Sequence, residues 1–272
     1  MTHEIEDPMR KAWETGTYSK FAAQYLPMAG QLVETTGVDT DDHVLDVGCG
    51  TGNVAITAAN RGATVTGVDI TPSMLERART NATIADTDEI DWYEGDAVDL
   101  PFEENAFDVT LSAIGHMYAE PPDAAARELL RVTRPGGRVG FTSWTPTSLL
   151  PVLAGHVLTH LPKTAQPEFS EPPFLWGDRD AVTRRLEANT DHLSFETKTV
   201  TYPALSPGHF WEDLAEHSGL IVELLDEIEE RAALREEVVG TVDPYFDISE
   251  NAVELEYLLT TATVPLAKES AE

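Results

Sequence analysis

The 272-residue chain carries 48 acidic and 18 basic residues, a formal net charge of -30, and 42% hydrophobic residues. The apolar share supports a packed core and excludes a disordered polyelectrolyte, while the charge argues against nucleic acid, whose phosphates want a basic footprint. A single cysteine, Cys49, excludes an intramolecular disulfide and a cysteine-rich metal centre, and no metal site is expected.

No run approaches the roughly 20 apolar residues of a membrane span. The opening residues are polar and acidic, unlike a secretory leader, so a cytoplasmic protein is expected. Lysine is scarce, present only at Lys11, Lys20, Lys163, Lys198 and Lys268. A strongly acidic, lysine-poor surface keeps a chain soluble in brine, so a halophilic character is expected.

Residues 9–36 read mostly as helix, with Trp13, Tyr18, Phe21, Tyr25 and Leu32 among the apolar positions. Gly16 and Pro27 interrupt the pattern and predict two helices rather than one. After a polar loop, residues 43–47 form an apolar run suited to a strand covered on both faces. Gly48, Gly50 and Gly52 follow at alternate positions, where glycine permits a tight turn and the close approach of a ligand. A helix is predicted over 54–61, a second buried strand over 63–69 ending in Asp69, and a helix from Pro72 to 83. Further strands are predicted at 90–94, 107–112 and 138–144, with a helix over 122–132 and a turn at 134–137. Strands alternating with helices in this way predict an α/β fold on a parallel sheet. Beyond Trp144 the rhythm changes to helices at 148–161, 178–188, 207–217 and 219–239, a proline-bearing loop over 162–177, and strands at 192–202 and 254–264. The acidic run 226–230 reads as a solvated helix face.

Three ligand classes compete for the glycine loop. A P-loop triphosphate is excluded, because the Lys-Ser/Thr pair of such a loop is missing. A dinucleotide stays open on spacing. Gly50, Gly52 and Ala55 satisfy G-x-G-x-x-A, and Asp69, about 20 residues after Gly48, can accept from ribose hydroxyls. Asp46, just before the loop, would repel a pyrophosphate and attract a cation. S-adenosylmethionine carries an ammonium and a sulfonium and no phosphate, which suits that acid.

Asp46 to Gly52, Asp69, Gly95-Asp96-Ala97 and Arg134-Pro135-Gly136-Gly137 occur in the order of the motifs of class I S-adenosylmethionine-dependent methyltransferases, which the chain resembles over roughly residues 12–145. Within that class it is similar to the type 11 branch related to ubiquinone- and menaquinone-biosynthesis C-methyltransferases. The resemblance implies a Rossmann-like, seven-stranded, mostly parallel sheet with helices on both faces and an antiparallel last strand. It also implies a helical cap over 1–37, a cofactor-binding core over 38–146, and the rest of the sheet over 147–272 with a helical insertion on the substrate side, all in one compact domain. The implied cofactor is S-adenosyl-L-methionine, and the implied reaction is in-line methyl transfer to a small-molecule acceptor. An NAD-dependent oxidoreductase and a non-catalytic regulatory protein are the alternatives.

Carried onto this chain, the resemblance places Gly48, Cys49, Gly50, Gly52 and Asn53 around the methionine moiety and ribose. Asp46 would orient the ammonium, and Asp69 would hold the ribose hydroxyls unless it only caps the helix after Thr71. Ile70 and Met74 would sandwich adenine, or simply pack. Asp96 would accept from the adenine amino group, or serve as a turn acid, with the Ala97 N–H at a ring nitrogen. Ser112 and Ala113 would meet the ligand by backbone, and Tyr18 would close over it. His116, after the fourth strand, is the candidate general base, with a structural role as its alternative. Trp144, Phe169, Phe174, Trp176, Phe210 and Trp211 could line an apolar acceptor pocket.

Overall fold

The computed structural model describes residue 13 and residues 18–267. The remaining residues of the first predicted helix lie outside the described residues. In chain order the elements are α1 (Tyr18–Ala22), α2 (Leu26–Thr35), β1 (His43–Val47), α3 (Asn53–Ala59), β2 (Thr64–Asp69), α4 (Pro72–Ile84), β3 (Asp91–Glu94) and β4 (Phe107–Ala113). Then come α5 (Pro122–Val132), β5 (Thr133–Trp144), α6 (Leu149–His160), α7 (Arg179–Leu186), β6 (Asp191–Pro203), α8 (Pro207–His217), α9 (Gly219–Leu225), α10 (Arg231–Val242), β7 (Phe246–Asp247) and β8 (Ala252–Thr263).

The chain forms two units interleaved in sequence. One comprises Met1–Tyr25, Pro146–Glu168 and Thr199–Glu256; the other comprises Leu26–Thr145, Phe169–Lys198 and Tyr257–Glu272. The units therefore do not follow the linear division at residues 37 and 146.

The second unit holds the parallel part of the sheet. Strand order is β3-β2-β1-β4-β5-β8-β6, with β7 paired to β8 and β6 and β8 each divided between the units. β1 runs parallel to β2 and β4, β2 to β3, and β4 to β5, while β8 is antiparallel to β5. This is the predicted mostly parallel α/β sheet with its antiparallel last strand. Every residue of β1 from Val44 to Val47 and of β2 from Val65 to Asp69 is buried, as strands covered on both faces require. The helices lie against them by apolar stripes: Met28, Ala29, Leu32 and Val33 in α2, and Met74, Leu75, Ala78 and Ala82 in α4. In α5, Pro122 opens the helix with its preset φ, and Asp123 in the first turn and Arg131 in the last match the helix dipole.

The first unit gathers α1, α6 and α8 to α10. Phe21 packs edge-on to Tyr25 at 5.2 Å and against Tyr202 at 5.4 Å, and Tyr202 meets Phe210 at 5.0 Å. Ser206 caps α8 by accepting from the His209 N–H, one residue before Pro207.

Two predicted elements differ from those found. The helix expected over 219–239 is broken into α9 and α10. Asp226, Glu227, Glu229 and Glu230 crowd the end of α9, where the dipole disfavours acids and like charges repel, while buried Ile228 pins the break. The turn expected at 134–137 is instead an irregularity inside β5. Pairing with β4 jumps from Phe107–Thr133 to Val109–Arg138, and Gly136 takes φ 74° there. No helix among the described residues is long and apolar enough to cross a membrane.

Candidate functional site

Strand order reverses between β1 and β4, and in an open α/β sheet the crevice beyond the strand ends at such a reversal is where ligands bind. Two loops meet there. The first is Gly48 to Gly52, with φ of 64°, 52° and 88° at Gly48, Gly50 and Gly52, all in the left-handed region that glycine alone enters freely. The second follows β4. A Cβ on Gly115 would lie 2.7 Å from the Gly48 carbonyl oxygen and 2.9 Å from its Cα, so the two backbones touch. Gly115→Ala should therefore push the loops apart and weaken ligand binding at least about tenfold. Calorimetry beside a melting curve checks this, since the melting temperature should move less than the affinity.

Three of the expected acids gather around the first loop. Asp69, at the end of β2, is buried and accepts from the Gly50 N–H at 2.8 Å and the Thr71 N–H at 2.9 Å. It thus fixes the loop, a role not foreseen for it, and also holds the chain where it enters α4. Burial raises its pKa. Glu94, the last residue of β3, pairs with Asp69, and the Gly95 N–H donates to the Asp69 carbonyl, which brings Asp96 next to it. Asp96 accepts from the Val98 N–H at 3.1 Å with one oxygen and is half-buried. Its loop is clamped to α5: Arg131 pairs with Glu128 at 2.6 Å and donates to the carbonyls of Leu100 and Phe102, while Glu128 accepts from the Leu100 N–H.

Asp46 is the deepest of the three, 1% exposed within β1. Its Oδ2 accepts from the Ala55 N–H at 2.9 Å, and its Oδ1 is buried without a hydrogen-bond partner. Burial, with the nearby Asp69 charge adding to it, pushes its pKa up to about 8. The expectation of a standing negative charge before the loop is thereby corrected. Near pH 7 and without ligand this carboxyl holds a proton. Oδ2 is engaged by the Ala55 N–H, so that proton falls to Oδ1, a buried hydroxyl with no acceptor; an ammonium group would displace it and draw the carboxyl into its charged form.

Other expected residues fall as follows. Cys49 is buried, its N–H donates to the Val68 carbonyl at 3.0 Å, and burial raises its thiol pKa, so neither group is free for a ligand. Asn53 opens α3 and is half-buried; Ile70 is half-buried and Met74 buried. Ala97 is half-buried beside Asp96, and Ala113 is half-buried at the end of β4. Tyr18 belongs to the other unit, where Trp13 packs edge-on to it at 5.4 Å. Of the aromatic set, Trp144, Trp176, Phe210 and Trp211 are core residues divided between the units, and Phe169 and Phe174 are half-buried. Among the described residues no group of His, Cys, Asp and Glu is arranged to hold a metal ion.

His116 is corrected from candidate base to structural residue. It is 0% exposed, packed against Phe141 and edge-on to Trp176 at 4.7 Å each. The Ser112 hydroxyl donates to the Val47 carbonyl at 2.7 Å, so its oxygen is left to accept from the His116 backbone N–H and ring Nδ1–H, both at 3.1 Å. The ring proton therefore sits on Nδ1, and Nε2 accepts from the Ser143 hydroxyl at 3.2 Å. Burial, assisted by the Arg185 guanidinium, lowers the pKa to about 3. Its ring should show no titration by NMR between about pH 5 and 8. The unfolded chain takes this proton below about pH 6.5 and the native state refuses it, so stability falls as the solution is acidified. His116→Gln should remove that acid sensitivity from the melting curves.

Gly115, Trp92 and the Glu128–Arg131 clamp escaped the sequence reading. A Cβ on Gly67 would lie 2.5 Å from the Trp92 ring, so that indole lies flat across β2. Gly115, three residues beyond the predicted end of a strand, was the one of these with a readable signal.

Residues 44–137 match the model of a family described as a methyltransferase domain. Two uncharacterized proteins of Mycobacterium tuberculosis are similar. One is 38% identical over 186 residues, covering 68% of this chain and 66% of the relative. The chain thus spans just under two thirds of that relative's length. The other is 32% identical over 259 residues and 93% of each chain. Aklanonic acid methyltransferase DauC of Streptomyces is 29% identical over 188 residues, 64% of this chain and 86% of its own. Among solved structures, the YcgJ protein of Bacillus subtilis superposes with a TM-score of 0.59 at 17% identity, over 88% of this chain and 98% of its own. That likeness shows the fold.

Proposed function

The chain belongs to the class I S-adenosylmethionine-dependent methyltransferases, and from that premise we propose that it moves a methyl group onto a small organic acceptor. Family members take the methyl from S-adenosylmethionine. The observation that carries the reading is the buried, unpartnered Oδ1 of Asp46 beside a loop of three left-handed glycines. An ammonium group would complete it by taking the place of the Oδ1 proton and pairing with the carboxylate.

The sulfonium supplies an already activated methyl, so the chain's work is to hold, orient and keep out water. Asp46 would take the ammonium, and Asp69 would offer its remaining lone pairs to the ribose hydroxyls while still holding Gly50 and Thr71. The free oxygen of Asp96 would receive the adenine amino group, with Ala97 beside it and Ile70 and Met74 against the ring. Gly48, Gly52, Asn53, Ser112 and Ala113 would shape the methionine end. No base is assigned, because His116 has no free lone pair. An acceptor of modest size is supported by the relative named for aklanonic acid. A cytoplasmic setting fits a lone, reduced thiol.

Calorimetric titration with S-adenosylmethionine, S-adenosylhomocysteine and NAD tests the reading. The first two should bind and NAD should not. Tight binding of NAD alone would overturn it in favour of an oxidoreductase. Cofactor binding with no S-adenosylhomocysteine formed across a broad acceptor screen would favour a regulatory protein.

A further inference from the structure

A second concavity of about 590 Å³ lies in the sheet-bearing unit, between α5 and α7. Its charge runs against that of the chain. Acids outnumber bases 48 to 18 overall, yet Arg127, Arg184 and Arg185 here face only the carboxylates of Asp123 and Glu171. Both carboxylates are already committed. Arg185, its side chain 6% exposed, donates through Nε to Asp123 at 3.0 Å and through Nη2 to Glu171. That leaves Arg184 without a counter-ion, and Arg127 with only the charge of Glu128 near it, whose ion pair is with Arg131. Arg127 donates only to the Asp123 backbone carbonyl at 3.2 Å, and Arg184 makes no hydrogen bond or ion pair among the described residues. The Nη1 of Arg185 is buried with nothing to receive its hydrogens. Between the guanidiniums the wall is apolar: Ala126, Leu130 and Ala181.

We propose that this cavity binds an organic anion, a carboxylate or phosphate ester on a compact apolar body. The anionic head would sit between Arg127 and Arg184, where a planar guanidinium can give two parallel hydrogen bonds to one oxyanion. The body would cover the apolar wall. Net negative charge does not forbid this, since at physiological salt the rest of the surface is screened beyond about 8 Å. Packed rings join the Arg185 wall of the cavity to the end of β4. The Arg185 guanidinium lies 4.6 Å over Trp176, and Trp176 stands against His116, which is tied to Ser112 at the end of β4.

Calorimetry on the full chain with phenyl phosphate, inorganic phosphate and neutral benzyl alcohol tests it. Phenyl phosphate should bind with a Kd below about 1 mM, and the double variant Arg127→Ala/Arg184→Ala should weaken it at least about tenfold. Arg127→Lys/Arg184→Lys keeps the charge without the fork and should bind between the parent and the alanine variant, which separates charge from any loss of fold. Benzyl alcohol should not bind. Absence of phenyl phosphate binding, unchanged affinity in the alanine variant, or equal binding of benzyl alcohol overturns the proposal. Inorganic phosphate binding as tightly as phenyl phosphate overturns its organic half.

Discussion

Asp46→Asn should weaken S-adenosylmethionine binding by about 10- to 100-fold and raise the melting temperature at pH 9. The two effects have one origin. Asp46 is buried, keeps one oxygen on the Ala55 N–H, and has its pKa pushed up to about 8. Between about pH 4 and 8 the native state holds a proton that the unfolded chain has released, so stability drains away as the pH rises through that window. The slope is at most about 1.4 kcal/mol per pH unit for one group. Asparagine imitates the protonated acid, keeps the Ala55 contact and cannot ionise, so it removes the slope. It also cannot become the anion that an ammonium needs, and a hydrogen bond to a charged group contributes about 1.5–3 kcal/mol. In the native protein, ligand binding near pH 7 should release about one proton, visible as a dependence of the calorimetric heat on buffer. Melting curves from pH 5 to 9 for both proteins, with titrations beside them, decide the matter. A variant that binds as tightly as the parent would sink the assignment of Asp46.

Asp69→Ala should abolish measurable binding, a loss beyond about 100-fold, and cost the fold about 1–3 kcal/mol as well. The stability cost follows from the two buried N–H groups of Gly50 and Thr71 that the carboxylate now receives. A substitution that left the fold untouched would be expected only if Asp69 faced the ligand alone. Asp69→Asn separates the parts: one acceptor oxygen survives, so urea unfolding should recover much of the stability while affinity stays poor. If the asparagine variant binds like the parent, the carboxylate is a loop brace and nothing more.

The parallel part of the sheet was legible because its strands carry buried apolar residues and alternate with helices, a pattern with few competing readings. Asp46, Asp69 and the three glycines were legible because position along a strand–loop–helix unit dictates their place. Charge state was not. That Asp46 lies at 1% exposure with one bare oxygen depends on what Gly67 and Leu111 bring beside it from other strands, and no local pattern encodes that. His116 was misread for the same reason. A histidine just past a strand end looks accessible in one dimension, and only the arrival of Trp176 from 60 residues later encloses it. The break between α9 and α10 was readable in principle, since four carboxylates within five positions oppose the dipole where a helix would have to continue.

The contact between Gly48 and Gly115 has a kinetic corollary. With no side chain between them, the two loops lie backbone to backbone, so filling the first should set the outline of the second. On the proposed reading, the acceptor's entrance should be finished only when the methyl donor is seated. Turnover should follow a compulsory order, donor first and spent donor last, and product inhibition by S-adenosylhomocysteine should be competitive with the donor alone.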